Sequence, residues 1–137
     1  MRKLRVLILE DDPHKFRMSA FKDRFAEWYD SKQAHVVYDH VEHAADCNNM
    51  LQQHRYDLIF LDHDLGGEEM VGVGHEDCGS RVVDFLLANP EIRRGQGAII
   101  VHSSNNVAGP LMAKRLNCHW IPGVYLETEW HKFVQVG

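Results

Sequence analysis

The sequence has few cysteines and no long hydrophobic segment. Its three cysteines, Cys47, Cys78 and Cys118, form no Cys-x-x-Cys pair, so neither a disulfide framework nor a cysteine zinc site is indicated. The longest apolar runs are four or five residues, far short of the roughly 20 that span a bilayer. Residues 1–3 lead into a strand-like run rather than a signal-peptide core. We therefore expect a soluble, cytoplasmic protein with free thiols.

The chain also lacks an excess of basic residues. Lysine and arginine number 15 against 20 aspartates and glutamates, a formal net charge of −5. This argues against binding through a general basic patch, although a local basic helix face could still meet a nucleic acid. A length of 137 residues with 45% hydrophobic composition suits one core. With no repeat or linker, we predict one domain over 1–137.

Short apolar runs alternate with amphipathic segments. The strand-like runs are Leu4–Leu9, Val36–Tyr38, Tyr56–Leu61, Ala98–Val101 and Ile121–Leu126. Helical periodicity marks Met18–Trp28, Val41–Arg55, Arg81–Ala88 and Val107–Leu116. Nearly continuous apolar strands that alternate with helices indicate a parallel sheet covered on both faces. We predict an α/β flavodoxin-like three-layer sandwich, with a five-stranded parallel sheet in the order 2-1-3-4-5.

The segments between and within these elements give further expectations. The second helix should bury one face, namely Val41, Ala44, Ala45, Asn48 and Leu51. The third should bury Val82, Val83, Leu86 and Leu87, with Ser80 as its cap and Asn89-Pro90 as its stop. The glycine-rich connection over Gly66–Gly79 is long enough to act as a lid. Pro122 places the fifth strand at a sheet edge.

Three strand-like runs end in acids and histidines. Glu10-Asp11-Asp12 follows the first run, Asp62-His63-Asp64 the third and His102-Ser103-Ser104-Asn105 the fourth. Ligands bind at this edge of an open α/β sheet. Glu10, Asp11 and Asp62 form a hard oxygen cluster of the type that holds Mg²⁺ or Mn²⁺, and Asp64 could join it. The pattern favours metal-assisted phosphate chemistry over a bare scaffold.

His63 and His102 are the predicted acid and base. Opening a five-membered cyclic phosphate needs a base to activate water and an acid to protonate the departing sugar oxygen, and imidazole supplies either form near neutral pH. Neighbouring strand tips lie roughly 5 Å apart, which should bring both rings to one substrate. The residues do not say which ring is the acid. Alternatively, His63 is a solvated residue past a strand and His102 a core histidine bonded to a carboxylate.

The remaining polar candidates are weaker. Ser103, Ser104 and Asn105 precede a helix whose backbone N–H groups would cradle a phosphate, or they only cap that helix. His14 is a secondary candidate at the start of the first helix. His75 and Cys78 would need two more ligands to hold zinc. The other histidines are interpreted as surface residues, namely His35, His40, His43, His54, His119 and His131.

The strand-end motifs resemble a known family. Leu7–Asp12, Asp57–Asp62 and Ile99–Ser103 line up with the strand ends of two-component response-regulator receiver domains. The resemblance covers nearly the whole chain. It places Glu10 and Asp11 in the acidic pair, with Asp11 favoured as the direct metal ligand. It also places Asp62 at the phospho-acceptor position.

Two departures narrow that resemblance. Receivers usually carry threonine or serine where this chain has His102, and a lysine followed by proline where it reads Leu126–Glu129. The joint pattern of Asp62–Gly67 with His102–Asn105 and Gly109 resembles instead the divergent cyclic-phosphate-processing receiver family. That resemblance implies action on cyclic phosphate ends in RNA repair or conflict systems.

The sequence thus predicts a metal-assisted phosphoesterase that acts on a 2′,3′-cyclic nucleotide or an RNA end. Its cofactor would be Mg²⁺ or Mn²⁺, with His63, His102 and Asp62 catalytic. The alternative is a non-enzymatic receiver or pseudo-receiver, in which Asp62 accepts a phosphoryl group or the fold binds a partner protein. Oligomeric state stays open, because Leu111, Met112 and Leu116 suit either a core or a dimer interface.

Overall fold

The elements of the computed structural model alternate between strands and helices. It describes residues 2–11, 23, 34–65, 72 and 74–122. The strands are β1 Arg2–Leu9, β2 Ala34–Val41, β3 Leu58–Leu61, β4 Ala98–His102 and β5 His119–Ile121. The helices are α1 Ala44–Gln53, α2 Gly79–Ala88, α3 Pro90–Gly95 and α4 Ala108–Leu116. None of the helices in these ranges is long and apolar enough to cross a membrane.

The five strands form one parallel sheet in the order β2-β1-β3-β4-β5. This confirms the predicted flavodoxin-like α/β class and strand order. The three central strands, β1, β3 and β4, are apolar on both faces, as expected for a parallel sheet. One face packs on α1, α2 and α4 through Leu7, Leu9, Ile59, Leu61, Ile99 and Val101. On the other face Val6, Ile8, Leu58, Phe60 and Ile100 are also buried.

Two helix faces differ from the prediction. Val41 ends β2, and α1 starts three residues later, so α1 buries Ala44, Cys47 and Leu51. Ala45 is exposed and Asn48 only half-buried, because the buried stripe follows the packing against β1 and α2. In α2 the buried residues include Val82, Val83 and Leu86, whereas Leu87 is 49% exposed.

The two proline-containing segments have different outcomes. Asn89-Pro90 ends α2, as predicted, and Pro90 then occupies the first turn of α3, where its missing N–H costs nothing. The fifth strand was predicted wrongly. β5 is His119–Ile121 and pairs with Ile100–His102 of β4. Its last residue, Ile121, is the first residue of the predicted strand. Pro122 follows it directly. The predicted helix over 18–28, His14, residues 66–71 and the tail from 123 lie outside the described residues.

Candidate functional site

Three strands bring one polar side chain each to a common row at the carboxyl edge of the sheet. The last residues of β1 and β3 pair with each other and with the residue before the end of β4. The next positions are therefore Glu10, Asp62 and His102. Pairing continues past the strand ends, since the Asp62 N–H donates to the Leu9 carbonyl at 3.1 Å. Because side chains alternate along a strand, all three belong to the sheet face that carries Phe60.

Glu10, Asp62 and His102 form a buried group that we call the Glu10 cluster. Their exposed fractions are 4%, 8% and 1%. The His102 Nε2 and Glu10 Oε2 atoms are 3.2 Å apart. One ligand atom from each residue lies within 4.8 Å of the other two. Two carboxylates and one imidazole at this spacing can hold a divalent ion.

Burial perturbs both titrating partners in the Glu10 cluster. Burial raises the pKa of Asp62 to about 7, with the Glu10 carboxylate adding to the effect and His102 opposing it. Burial lowers the pKa of His102 to about 4, and the neighbouring His40 lowers it further while Asp62 opposes. At neutral pH the His102 ring is therefore uncharged and the Asp62 carboxyl is poised between its two forms. The uncharged His102 ring and the ionised form of Asp62 each offer a lone pair that a cation could bind.

His63, Asp64 and Asn105 make a second buried group, the His63 cluster. His63 Nδ1 and Asp64 Oδ1 are 3.0 Å apart, and Asn105 Nδ2 donates to the same oxygen at 3.1 Å. An ionised carboxylate only accepts, so Nδ1 carries the hydrogen, and in the neutral ring His63 Nε2 is then the acceptor. Within the described residues His63 is fully buried and its Nε2 has no hydrogen-bond partner.

Some of the backbone N–H groups that were predicted to bind a phosphate already donate to side chains of the protein. Asn105 Oδ1 accepts the N–H groups of Val107 at 3.2 Å and Ala108 at 2.9 Å, and so caps α4. The Ser103 hydroxyl accepts the Asn105 N–H at 3.1 Å. Ser103 and Asn105 are buried, and Ser104 is exposed. Ser104 is therefore the member of this segment best placed to meet a ligand.

The start of α2 is packed against the end of β3. The Gly79 N–H donates to the His63 carbonyl at 2.9 Å, and Asp64 forms an isolated bridge with Cys78. A Cβ on Gly79 would overlap the Asp62 carbonyl oxygen and approach the Met112 methyl group. Only glycine allows this close approach. The start of α2 therefore packs directly on the backbone of Asp62 and His63, which belong to the two clusters.

The end of the predicted lid is anchored on α1. Asp77 Oδ1 accepts the Ala44 N–H at 2.9 Å, and its Oδ2 lies 2.6 Å from His43 Nδ1. The hydrogen bond to Asp77 raises the pKa of His43. His75 Nδ1 accepts the Asp77 N–H, and Cys78 Sγ donates to the His75 carbonyl. His75 and Cys78 thus contact the local backbone, an arrangement that fits a structural turn.

The structure divides the predicted site residues into separate groups. His102 joins Glu10 and Asp62, whereas His63 joins Asp64, which was expected among the metal ligands. The two imidazoles therefore have different carboxylate partners. In register, position 63 aligns with position 103 rather than with 102, so the rings start on opposite sheet faces. Asp11 is half-buried at the same edge and is not part of the Glu10 cluster.

Sequence reasoning missed His40 and Trp120. The His40 Nε2 atom lies 2.7 Å from the Glu10 carbonyl oxygen, and His40 also affects the pKa of His102. The Trp120 indole donates to the Ser103 carbonyl at 3.0 Å and packs so close to Gly109 that a Cβ there would overlap it. Both residues lie on strands whose bounds were misjudged. A longer β2 and an earlier β5 would have placed them beside the site.

A family model described as Cyclic-phosphate processing Receiver domain matches residues 7–118. None of the curated proteins matches the chain.

Solved structures with the same fold are receiver domains and related signalling proteins. The Mn²⁺-bound response regulator Rcp1 aligns with a TM-score of 0.66 at 16% identity, covering 98% of this chain and 99% of its own. The receiver domain of sensor histidine kinase PA1611 from Pseudomonas aeruginosa PAO1, solved with magnesium in its active-site cleft, aligns at 0.63 and 17%, covering 95% and 93%. A sensor protein from Polaromonas sp. JS666 aligns at 0.62 and 22%, covering 95% and 94%. At these identities the likeness establishes the fold.

Proposed function

The chain belongs to the family of cyclic-phosphate processing receiver domains, and on that premise we propose that it is a metal-assisted phosphoesterase. Its substrate would be the cyclic phosphate of a nucleotide or an RNA end. The observation that carries the proposal is the Glu10 cluster, in which two buried carboxylates and a buried imidazole converge at the ligand-binding edge of the sheet. The proposal also rests on the His63 cluster beside it.

We assign ion binding to Glu10, Asp62 and His102. Two neighbouring carboxylates repel an anionic phosphate. A divalent ion held there would offset that repulsion, neutralise the phosphate charge and lower the pKa of a bound water. Receivers of the same fold bind Mn²⁺ in Rcp1 and magnesium in the active-site cleft of PA1611. We propose Mg²⁺ or Mn²⁺ for this chain as well.

We assign proton transfer to His63. Asp64 fixes the ring so that Nε2 is the accepting nitrogen, and Asn105 holds Asp64 in place. A nitrogen buried without a partner among the described residues is a natural acceptor for the proton of an attacking water or donor to a leaving oxygen. The proposal keeps both predicted histidines, but it gives His102 to the ion and His63 to the proton.

The test is ³¹P NMR of an oligonucleotide that ends in a 2′,3′-cyclic phosphate, incubated with the protein and either Mn²⁺ or Mg²⁺. Wild type should convert the cyclic resonance into that of a monoester. His63→Gln should slow this by roughly 10²–10⁴-fold, the usual contribution of a general acid or base. His35→Gln is the matched control, because His35 is an exposed histidine of β2.

An unchanged cyclic resonance with RNA ends and with cyclic mononucleotides, under both ions, would contradict the proposal. That result would favour the non-enzymatic alternative, in which Asp62 accepts a phosphoryl group or a partner protein binds the fold. Turnover that His63→Gln leaves intact would remove His63 from the mechanism. Circular dichroism of each variant separates lost chemistry from lost folding.

A further inference from the structure

The Glu10 cluster differs from an all-oxygen magnesium site in one donor atom. His102 offers a ring nitrogen, and its Nε2 lies 3.2 Å from Glu10 Oε2. We propose that His102 makes the site select a first-row transition ion such as Mn²⁺ over Mg²⁺. This inference rests on the proposed function, because it identifies the ion that the proposed phosphoesterase would use.

The preference follows from the chemistry of the two kinds of ion. Mg²⁺ takes oxygen ligands in strict octahedral geometry and sheds its water reluctantly. Imidazole nitrogen binds first-row transition ions, and affinity generally increases from Mn²⁺ through Co²⁺. In a site with one nitrogen and two carboxylate donors, the ring nitrogen therefore increases the affinity for Mn²⁺ and Co²⁺ and contributes little to the affinity for Mg²⁺.

The surroundings of His102 support a role as ligand rather than as a structural histidine. One carboxylate is enough to satisfy a buried imidazole, yet both Glu10 and Asp62 share the 4.8 Å group with it. The ring is also fixed in place, since it belongs to β4 and its centroid lies 6.2 Å from that of Phe60.

His40 provides a matched histidine next to the same site. Its Nε2 lies 2.7 Å from the backbone carbonyl oxygen of Glu10, and it is not a member of the three-residue group. Replacement of His40 therefore removes an imidazole from the neighbourhood and leaves the three donor side chains. His102→Gln instead exchanges the nitrogen donor for an amide oxygen whose reach is similar to that of Nε2.

The first test is isothermal titration calorimetry of the full chain with Mn²⁺, Co²⁺ and Mg²⁺. Wild type should bind Mn²⁺ at least about tenfold more tightly than Mg²⁺, and Co²⁺ more tightly still. His102→Gln should reduce the Mn²⁺ to Mg²⁺ affinity ratio by about tenfold or more, within the roughly 10–100-fold range by which changes around a metal site alter affinity. His40→Gln removes no donor of the site, so it should change the affinities for Mn²⁺ and Mg²⁺ alike and keep the wild-type ratio.

The second test detects the ligand atom directly. Electron spin echo envelope modulation of the Mn²⁺-loaded wild type should contain ¹⁴N modulation from a directly bound imidazole, and the control variant His40→Gln should retain it. Binding of Mn²⁺ without ¹⁴N modulation, or equal affinity for Mn²⁺ and Mg²⁺, would overturn the role of His102 and leave metal-assisted catalysis standing. No binding of any of the three ions would overturn the role of His102 together with the proposed function.

Discussion

The two ends of the sheet both hold charged side chains, but they pair them differently. At the amino end of β3, Arg5 donates to Asp39 at 3.2 Å and Tyr56 donates to the same oxygen at 2.7 Å. The Arg5 backbone N–H and the Arg55 side chain each donate to Asp57. At the carboxyl end the Glu10 and Asp62 carboxylates are buried near each other with an uncharged imidazole.

This difference separates a structural network from a candidate active site. Opposite charges at the amino end satisfy one another, and the Arg5 guanidinium also lies 5.4 Å from the centre of the Tyr56 ring. In the Glu10 cluster, by contrast, burial and also the nearby Glu10 carboxylate raise the pKa of Asp62 to about 7. Groups held against their own ionisation are typical of functional sites. We infer that ionisation of Asp62 at the carboxyl end lowers the free energy of unfolding of the ion-free protein.

The largest effect should come from the glycine between the two clusters. Gly79→Ala places a Cβ against the Asp62 carbonyl oxygen, so α2 and the end of β3 must separate. We expect a loss of about 3 kcal/mol in the free energy of unfolding, measured by urea denaturation, together with weaker ion binding. Gly95→Ala is the control, because a Cβ there meets nothing within 4 Å. A Gly79→Ala variant as stable as Gly95→Ala would contradict the close approach.

Asp62→Asn should stabilise the ion-free protein. The pKa of Asp62 is raised to about 7 by folding, so ionisation opposes folding, and the penalty grows from about pH 4 and is complete above pH 7. We expect a gain of about 2 kcal/mol at pH 8 in EDTA, under the roughly 4 kcal/mol ceiling that such a shift sets. The gain should disappear near pH 4, and loss of stability at pH 8 would contradict the account.

Tyr56→Phe probes the amino end. It removes the hydroxyl that donates to Asp39, while Arg5 still pairs with that carboxylate. We expect a loss of about 1 kcal/mol in unfolding free energy and unchanged affinity for Mn²⁺. A change in ion affinity would show that the two ends are not independent.

The smallest effect concerns the Asp77 contact on α1. The pKa of His43 is raised in the folded protein by its hydrogen bond to Asp77. The ionic contribution is therefore present below pH 6.5 and is lost as the pH rises through the folded pKa. Asp77→Asn should lower the melting temperature slightly at pH 5.5 and not at pH 9. Glu76→Gln is the control, because Glu76 is an exposed acid next to Asp77 in the sequence and does not affect the pKa of His43.

Much of the fold was predictable because its signals are local. The apolar runs before Glu10, Asp62 and His102 identify three parallel strands, and their polar ends identify the edge that binds ligands. The family resemblance is likewise confirmed, since the family model matches residues 7–118.

The grouping of the site residues was not predictable, because it depends on register. Pairing Leu61 with Val101 aligns Asp62 with His102; a shift of one residue would have aligned His63 with it instead. Strand composition does not set that shift. The contact of His40 with Glu10 depends equally on tertiary packing.

The central claim is that the carboxyl end of the sheet, and not the amino end, holds a divalent ion. The most direct measurement is a Mn²⁺ titration of the ¹⁵N-labelled protein, followed by paramagnetic broadening of its amide signals. The account predicts that the amides of Glu10, Asp62 and His102 broaden at substoichiometric Mn²⁺, while those of Arg5, Tyr56 and Asp57 stay sharp. Broadening that starts at the amino end, or that spreads evenly over both, would contradict it.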